Sequence, residues 1–388
     1  MPALASQPVR VLISGLGPVT CLGFGMDDLV EGMADVTVMQ DTELKAARLR
    51  SMFGIIRDFD LSQFTDTRRP YLDPQSRCAL AGTALALESA GVEADEVDPW
   101  RCGLSFATVL GNLETQMIFQ RQVDEKGMRL GSPVLFSHAY ANSTNSVLSI
   151  EFSLRGYNQN FCGDLLCGAQ ALEVAMLAIR SGKADLMVAG GADVTGPELL
   201  QRLRLGTLPD APLPGQGAAL LVLESQDSVE RREGYAFCEL GAIVCRGIRG
   251  QGSVDATAEA VRALVKQAMD EAHVWEGDIG VVFLSSGGAF HPEARDVEKK
   301  ALRAFSQVPT TSVKHFAGET FAAGFPLECA LAADVLNNGY VPPKVALRGR
   351  RRGVEFWVEQ QPEPMLGHSA LVVGCTPDLA AAAVLRAL

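Results

Sequence analysis

Short apolar runs alternate with segments of helical period along most of the chain. "VRVLISGLGPV" (9–19) reads as a β-branched strand running into glycines. "ADLMVAGGADV" (184–194) and "AALLVLES" (218–225) are continuous apolar strands, the pattern of a sheet covered on both faces. "SRCALAGTALALESAG" (76–91) has helical periodicity and ends on a glycine suited to a C-cap. "GAQALEVAMLAIRSG" (168–182) is apolar almost all round, which predicts a helix buried on every side.

A similar order returns after about residue 230. "IGVVFLSSGGAF" (279–290) echoes the opening strand and its glycines, and "HSALVVGC" (368–375) echoes "AALLVLES". "GETFAAGFPLECALAADVLNNG" (318–339) predicts a second buried, small-residue helix, while "DATAEAVRALVKQAMDEAHV" (255–274) is an ordinary amphipathic one. Two related α/β halves, 1–228 and 229–388, with a buried helix in each, imply helices sandwiched between two sheets. The first half carries an additional excursion at about 106–150.

Composition narrows the function. The chain has 388 residues, 47% hydrophobic and 21% charged, so it is globular with ample volume for a core. A net charge of −12 argues against nucleic acid or an anionic membrane as the main partner. No apolar run is long enough to span a bilayer, and the opening "MPALASQPVRVLISGLG" lacks the form of a signal peptide. Nine cysteines without a CxxC pair point to a reducing, cytoplasmic setting, and five dispersed histidines make a metal site an unpromising reading.

The stretch "CGDLLCGAQALEVAMLAIRSGKADLMVAGGADV" (162–194) raises the question of a nucleophile, because a thiol at a helix N-terminus loses its proton more easily. Together with "VLISGLGPVTCLG" (11–23), "PGQGAALLVLES" (214–225) and "SVKHFAGETFAAG" (312–324), it makes essentially the whole chain resemble the β-ketoacyl synthases. The resemblance implies the thiolase-like, five-layered αβαβα fold. It also implies a cysteine that takes an acyl chain from a carrier protein, and two histidines that support decarboxylation of the malonyl extender and hold the developing oxyanion.

Those groups are missing from their places. Counting back from Gly190 and Gly191, with Gly182 and Gly168 in register, puts the nucleophile position on Leu165. Cys167 lies two residues on, a rotation of about 200° around a helix, and reads with Cys162 as a small structural thiol. One histidine position holds Glu319, and the other falls on Ser286 or Gly287 in "LSSGGAF" (284–290). His291 and His315 are nearby but out of register. Lys314 and Glu298 match a lysine and an acid of active members.

Scaffold without these groups resembles the chain-length factor, the inactive partner of a ketosynthase in type II polyketide synthases. That resemblance implies a heterodimer with an active ketosynthase, substrates arriving on the phosphopantetheine of an acyl carrier protein, and no cofactor of the chain's own. Many chain-length factors carry glutamine at the nucleophile position, where this chain has Leu165. The segment 106–127 matches the region reaching a shared acyl tunnel, with Leu113, Met117, Phe119 and Phe136 as lining residues, and "GYNQNFCGD" (156–164) matches the strand that pairs across the interface. "PMLGHSALVV" (364–373) stands in place of the family's Phe-Gly-rich gating loop. The basic run "RGRRRG" (348–353) reads as a solvated hairpin or a carrier-protein contact. Three functions compete: a non-catalytic subunit for a polyene or aromatic system, an active synthase using Cys167, or a freestanding acyl-binding protein.

Overall fold

A computed structural model describes residues 9–38, 54–93, 97–196, 199–200, 202–203, 213–248, 252–285, 292–350, 353–360 and 362–388. The first half contributes β1 (Val11–Thr20), β2 (Cys102–Thr108), β3 (Asn158–Cys162), β4 (Leu186–Asp193) and β5 (Gly217–Ser225). The second contributes β6 (Cys238–Gly247), β7 (Ile279–Leu284), β8 (Thr310–Thr311), β9 (Ser369–Cys375) and β10 (Leu379–Arg386). They lie side by side in the order β3-β2-β4-β5-β1-β6-β10-β9-β7-β8.

Outward from the centre, both halves follow one plan. β1–β5–β4 and β6–β10–β9 are antiparallel, whereas β4–β2–β3 and β9–β7–β8 are parallel. The two runs meet at only two register pairs, Leu12 with Glu239 and Ile13 with Cys238. This plan corrects the sequence echoes. The counterpart of β1 is β6, not 279–290, and the counterpart of "AALLVLES" is β10, not 368–375. Similar apolar composition cannot fix strand order, because each central strand is covered on both faces and reads alike.

The helices that position the site and its surroundings include α1 (Pro74–Ala90), α2 (Leu113–Lys126), α3 (Cys167–Arg180), α4 (Val254–Ala272), α5 (Pro292–Ala301) and α6 (Gly324–Asn338). α1 packs on β1 and β5, and α4 and α5 cover β6, β10 and β9. α3 and α6 lie between the runs, touching each other and strands of both halves. The five layers of the thiolase-like αβαβα fold are therefore present. Local sequence sets the boundaries of α1: Asp73 accepts from the Ser76 amide at 2.9 Å, Pro74 opens the helix, and Gly91 closes it at φ 62°. Such an aspartate cap contributes about 1 kcal/mol.

The central helices can approach because one residue has no side chain. A Cβ on Gly168 of α3 would lie 2.7 Å from Pro326 Cδ of α6, and 2.0 Å from the Ala322 carbonyl oxygen in the turn before it. The expected helix over 318–339 is shorter at its start. Gly318 (φ 89°) and Phe321 (φ 53°) sit in left-handed geometry, and the Glu319 amide donates to Leu213 rather than into a helix. Regular helix begins at Gly324. Among the described residues no helix is long and apolar enough to cross a membrane, and no cluster of three or more candidate metal ligands occurs.

Candidate functional site

The amino end of α3 is held from both halves. Asp164 accepts from the Leu166 amide at 2.8 Å through one carboxylate oxygen and from the Thr376 hydroxyl at 2.7 Å through the other. Leu165 and Leu166 are buried, and Leu166 approaches Gly374 at the end of β9 so closely that a Cβ there would clash. The carboxy-terminal segment at this site is thus 374–376. Most of the stretch 364–373 lies elsewhere: Pro364 pairs with Tyr340, Leu366 is exposed, and 369–373 are interior to β9, with only the Val373 carbonyl reaching the site, where it accepts from the Ser285 amide. Ser285, fully buried, lies beside Gly374, while Ser286, Gly287 and His291 fall outside the described residues.

Cys167 opens α3. Its side chain is fully buried in a small apolar cluster with Ala107, Ala171 and Ala322, bordered by Val109 and Phe161. Burial, with Asp193 and Asp164 nearby, pushes its thiol well above the usual range. Cys162 ends β3 and is exposed.

Opposite α3 is the 314–324 turn. Lys314 and Glu319 are both buried and pair at 2.8 Å, and the Phe321 amide donates to the other Glu319 oxygen at 3.0 Å. Burial pushes the Glu319 carboxyl up, while the Lys314 ammonium pulls it down. A second acid, unforeseen from sequence, is Glu328 on α6. It accepts from the Ser312 hydroxyl at 2.7 Å and the Val313 amide at 3.0 Å. Burial raises its carboxyl to about 7, against an opposing pull from Lys314. A single glutamate inside the otherwise apolar "GFPLECALAA" (324–333) was the available signal. Glu298 sits apart on α5, also buried, and His315 is in the 314–317 turn.

Asp193 was equally unforeseen, although an aspartate after Gly-Gly on an apolar strand invites notice. Fully buried, it accepts from the Thr108 hydroxyl and from the amides of Val109, Leu110 and Ala322. Burial dominates over these donors and raises its carboxyl to about 6.

The four expected lining residues fall on one helical excursion. Leu113 is half-buried at the start of α2, and Met117 is exposed one turn on. Phe119 contacts Phe136 of the 133–138 helix, ring centroids 5.5 Å apart, and Phe136 in turn meets Tyr140 at 5.1 Å. Phe136 and Tyr140 are exposed, as are Ile118 and Val134, so the described residues do not cover them. β3 lies at the outer edge of the sheet and pairs only with β2 among the described strands. "RGRRRG" spans the end of the 344–350 strand and the start of the 353–360 strand, with 351–352 outside the described residues.

Residues 31–204 match the family model for the beta-ketoacyl synthase N-terminal domain. The chain is 27% identical to the tetracenomycin polyketide synthase ketoacyl synthase beta subunit of Streptomyces glaucescens, over 95% of this chain and 96% of that one. It is 24% identical to the chloroplastic 3-oxoacyl-[acyl-carrier-protein] synthase I of Arabidopsis thaliana, over 89% and 80% respectively. Among solved structures, the ishigamide ketosynthase/chain length factor superposes with a TM-score of 0.80 at 18% identity, covering 98% of this chain and all of that one. The fold is thiolase-like, and the class of protein the chain is similar to is the beta-ketoacyl synthases. Within that class the resemblance runs to the ketoacyl synthase beta subunits, the chain-length factors, as the sequence motifs implied.

Proposed function

We propose that this chain is the non-catalytic chain-length-factor subunit of a type II polyketide ketosynthase, for a polyene or aromatic product. The observation that carries the reading is the buried Lys314–Glu319 pair, and the sequence resemblance is what equates Glu319 with a histidine of active members. An ionised carboxylate there cannot donate a hydrogen bond to an enolate, and its charge opposes that of a malonyl group. Leu165 offers no nucleophile, and the buried, protonated Cys167 is a poor substitute, which counts against an active synthase using that thiol.

On this reading the active ketosynthase supplies all the chemistry, and the acyl carrier protein brings the extender on its phosphopantetheine to that partner. The open edge of β3 and the exposed aromatic excursion become the heterodimer interface, and the partner closes the tunnel over Leu113, Met117, Phe119 and Phe136. Both proteins would work in the cytoplasm without a cofactor. The test is co-expression with the cognate ketosynthase. A stable one-to-one complex that condenses malonyl-carrier protein, with the isolated chain inert, is the expected result. An isolated chain that condenses alone, or that remains a stable monomer and retains no ketosynthase, would overturn it.

A further inference from the structure

The Asp193 carboxylate joins three segments that come together only in the folded chain. One oxygen accepts from Thr108 Oγ1 at 2.8 Å and the Leu110 amide at 2.8 Å, and the Val109 amide reaches both oxygens, at 3.1 and 2.9 Å. The second oxygen also accepts from the Ala322 amide at 2.9 Å. Ala322 is fixed at its other end too, because its carbonyl oxygen packs where Cβ atoms on Gly168 of α3 and Gly191 of β4 would stand. Val109 borders the Cys167–Ala322 cluster at the start of α3. Three residues further on, Asn112 precedes α2, and its amide group donates to Asp73 at 3.0 Å and to the His138 carbonyl at 2.7 Å. The 109–112 turn therefore carries α2 and the Phe119–Phe136 pair at one end, and is held on Asp193 at the other.

We infer that Asp193 is the positioning residue that sets the excursion against the α3 terminus and thereby fixes the depth of the acyl cavity. This rests on the proposed chain-length role. Only a carboxylate suits the position, since every partner is a donor and an amide nitrogen would face N–H or O–H groups whichever way it turned. Asp193 touches no substrate. Its effect passes through Val109, Leu110 and Ala322.

The experiment uses the chain co-purified with its ketosynthase and supplied with excess malonyl-carrier protein. Asp193→Asn should shift products by at least one two-carbon unit or broaden their distribution, read by mass spectrometry, with the initial condensation rate within about twofold of wild type. Asp185→Asn, on a surface ion pair with Arg101 and Arg231, should leave product length unchanged. An intact Asp193→Asn heterodimer with the wild-type product distribution would overturn the inference. Hydrogen exchange on the chain gives a second reading that needs no product. The Val109, Leu110 and Ala322 amides should exchange at least tenfold faster in Asp193→Asn, and unchanged protection there would also overturn it. If the wild-type chain retains no ketosynthase, the chain-length role fails, while the exchange measurement still decides whether Asp193 holds these segments.

Discussion

Removing Lys314 should destabilise the protein more than removing its partner Glu319. Lys314→Met leaves the Glu319 carboxylate buried with the Phe321 amide and takes a compensating charge from Glu328 as well. Breaking a buried pair by removing one member costs about 3–5 kcal/mol, and two affected carboxylates place this variant at the upper end. Glu319→Leu still leaves Lys314 near Glu328, so its cost should fall to about 2–3 kcal/mol. The double variant removes both charges from the dry turn, and Glu328 keeps its Ser312 and Val313 donors. It should lie within about 2 kcal/mol of wild type, far from the sum of the single changes. Urea unfolding of the purified protein, with the same slope in all four forms, measures these differences. Additive single costs, or a lysine variant no worse than the glutamate variant, would refute an account in which Lys314 neutralises both acids.

Three further outcomes follow from the site. The isolated chain should release no carbon dioxide from malonyl-carrier protein above background, and Cys167→Ala should leave that background unchanged; release that disappears in this variant would restore Cys167 as a nucleophile. In the reconstituted pair, Phe119→Ala or Met117→Ala should lengthen products by at least one two-carbon unit, and Leu113→Phe should shorten them, because extra methylenes against a packed end cost about 1–3 kcal/mol. Mass spectrometry checks this, and unchanged lengths in all three variants would make these side chains packing residues only. Glu328 makes stability depend on pH: its carboxyl titrates near 4.5 when exposed and at about 7 when folded, so the folded chain alone holds the proton between these values. Stability should therefore fall by about 3 kcal/mol as pH rises through that window, and Glu328→Gln should flatten the fall in unfolding measurements between about pH 5 and pH 8.

Most element types and the buried character of α3 and α6 were legible in the sequence. Local rules decide these: Asp73, Pro74 and Gly91 bound α1, and the nearly unbroken apolar run 168–179 marks α3 as buried. Tertiary structure decided which strands correspond between the halves, because doubly covered apolar strands are interchangeable in sequence. It also decided what stands around the site. Glu328 meets Lys314, Thr376 meets Asp164, and Asp193 meets Ala322 across 129 residues, each contact made by a strand end or helix end that only the packed layers bring together. Sequence spacing carries the period of a helix or a strand; it carries no record of which buried carboxylate finds which distant donor. That pairing depends on desolvation, since a buried acid must find a partner wherever the fold supplies one.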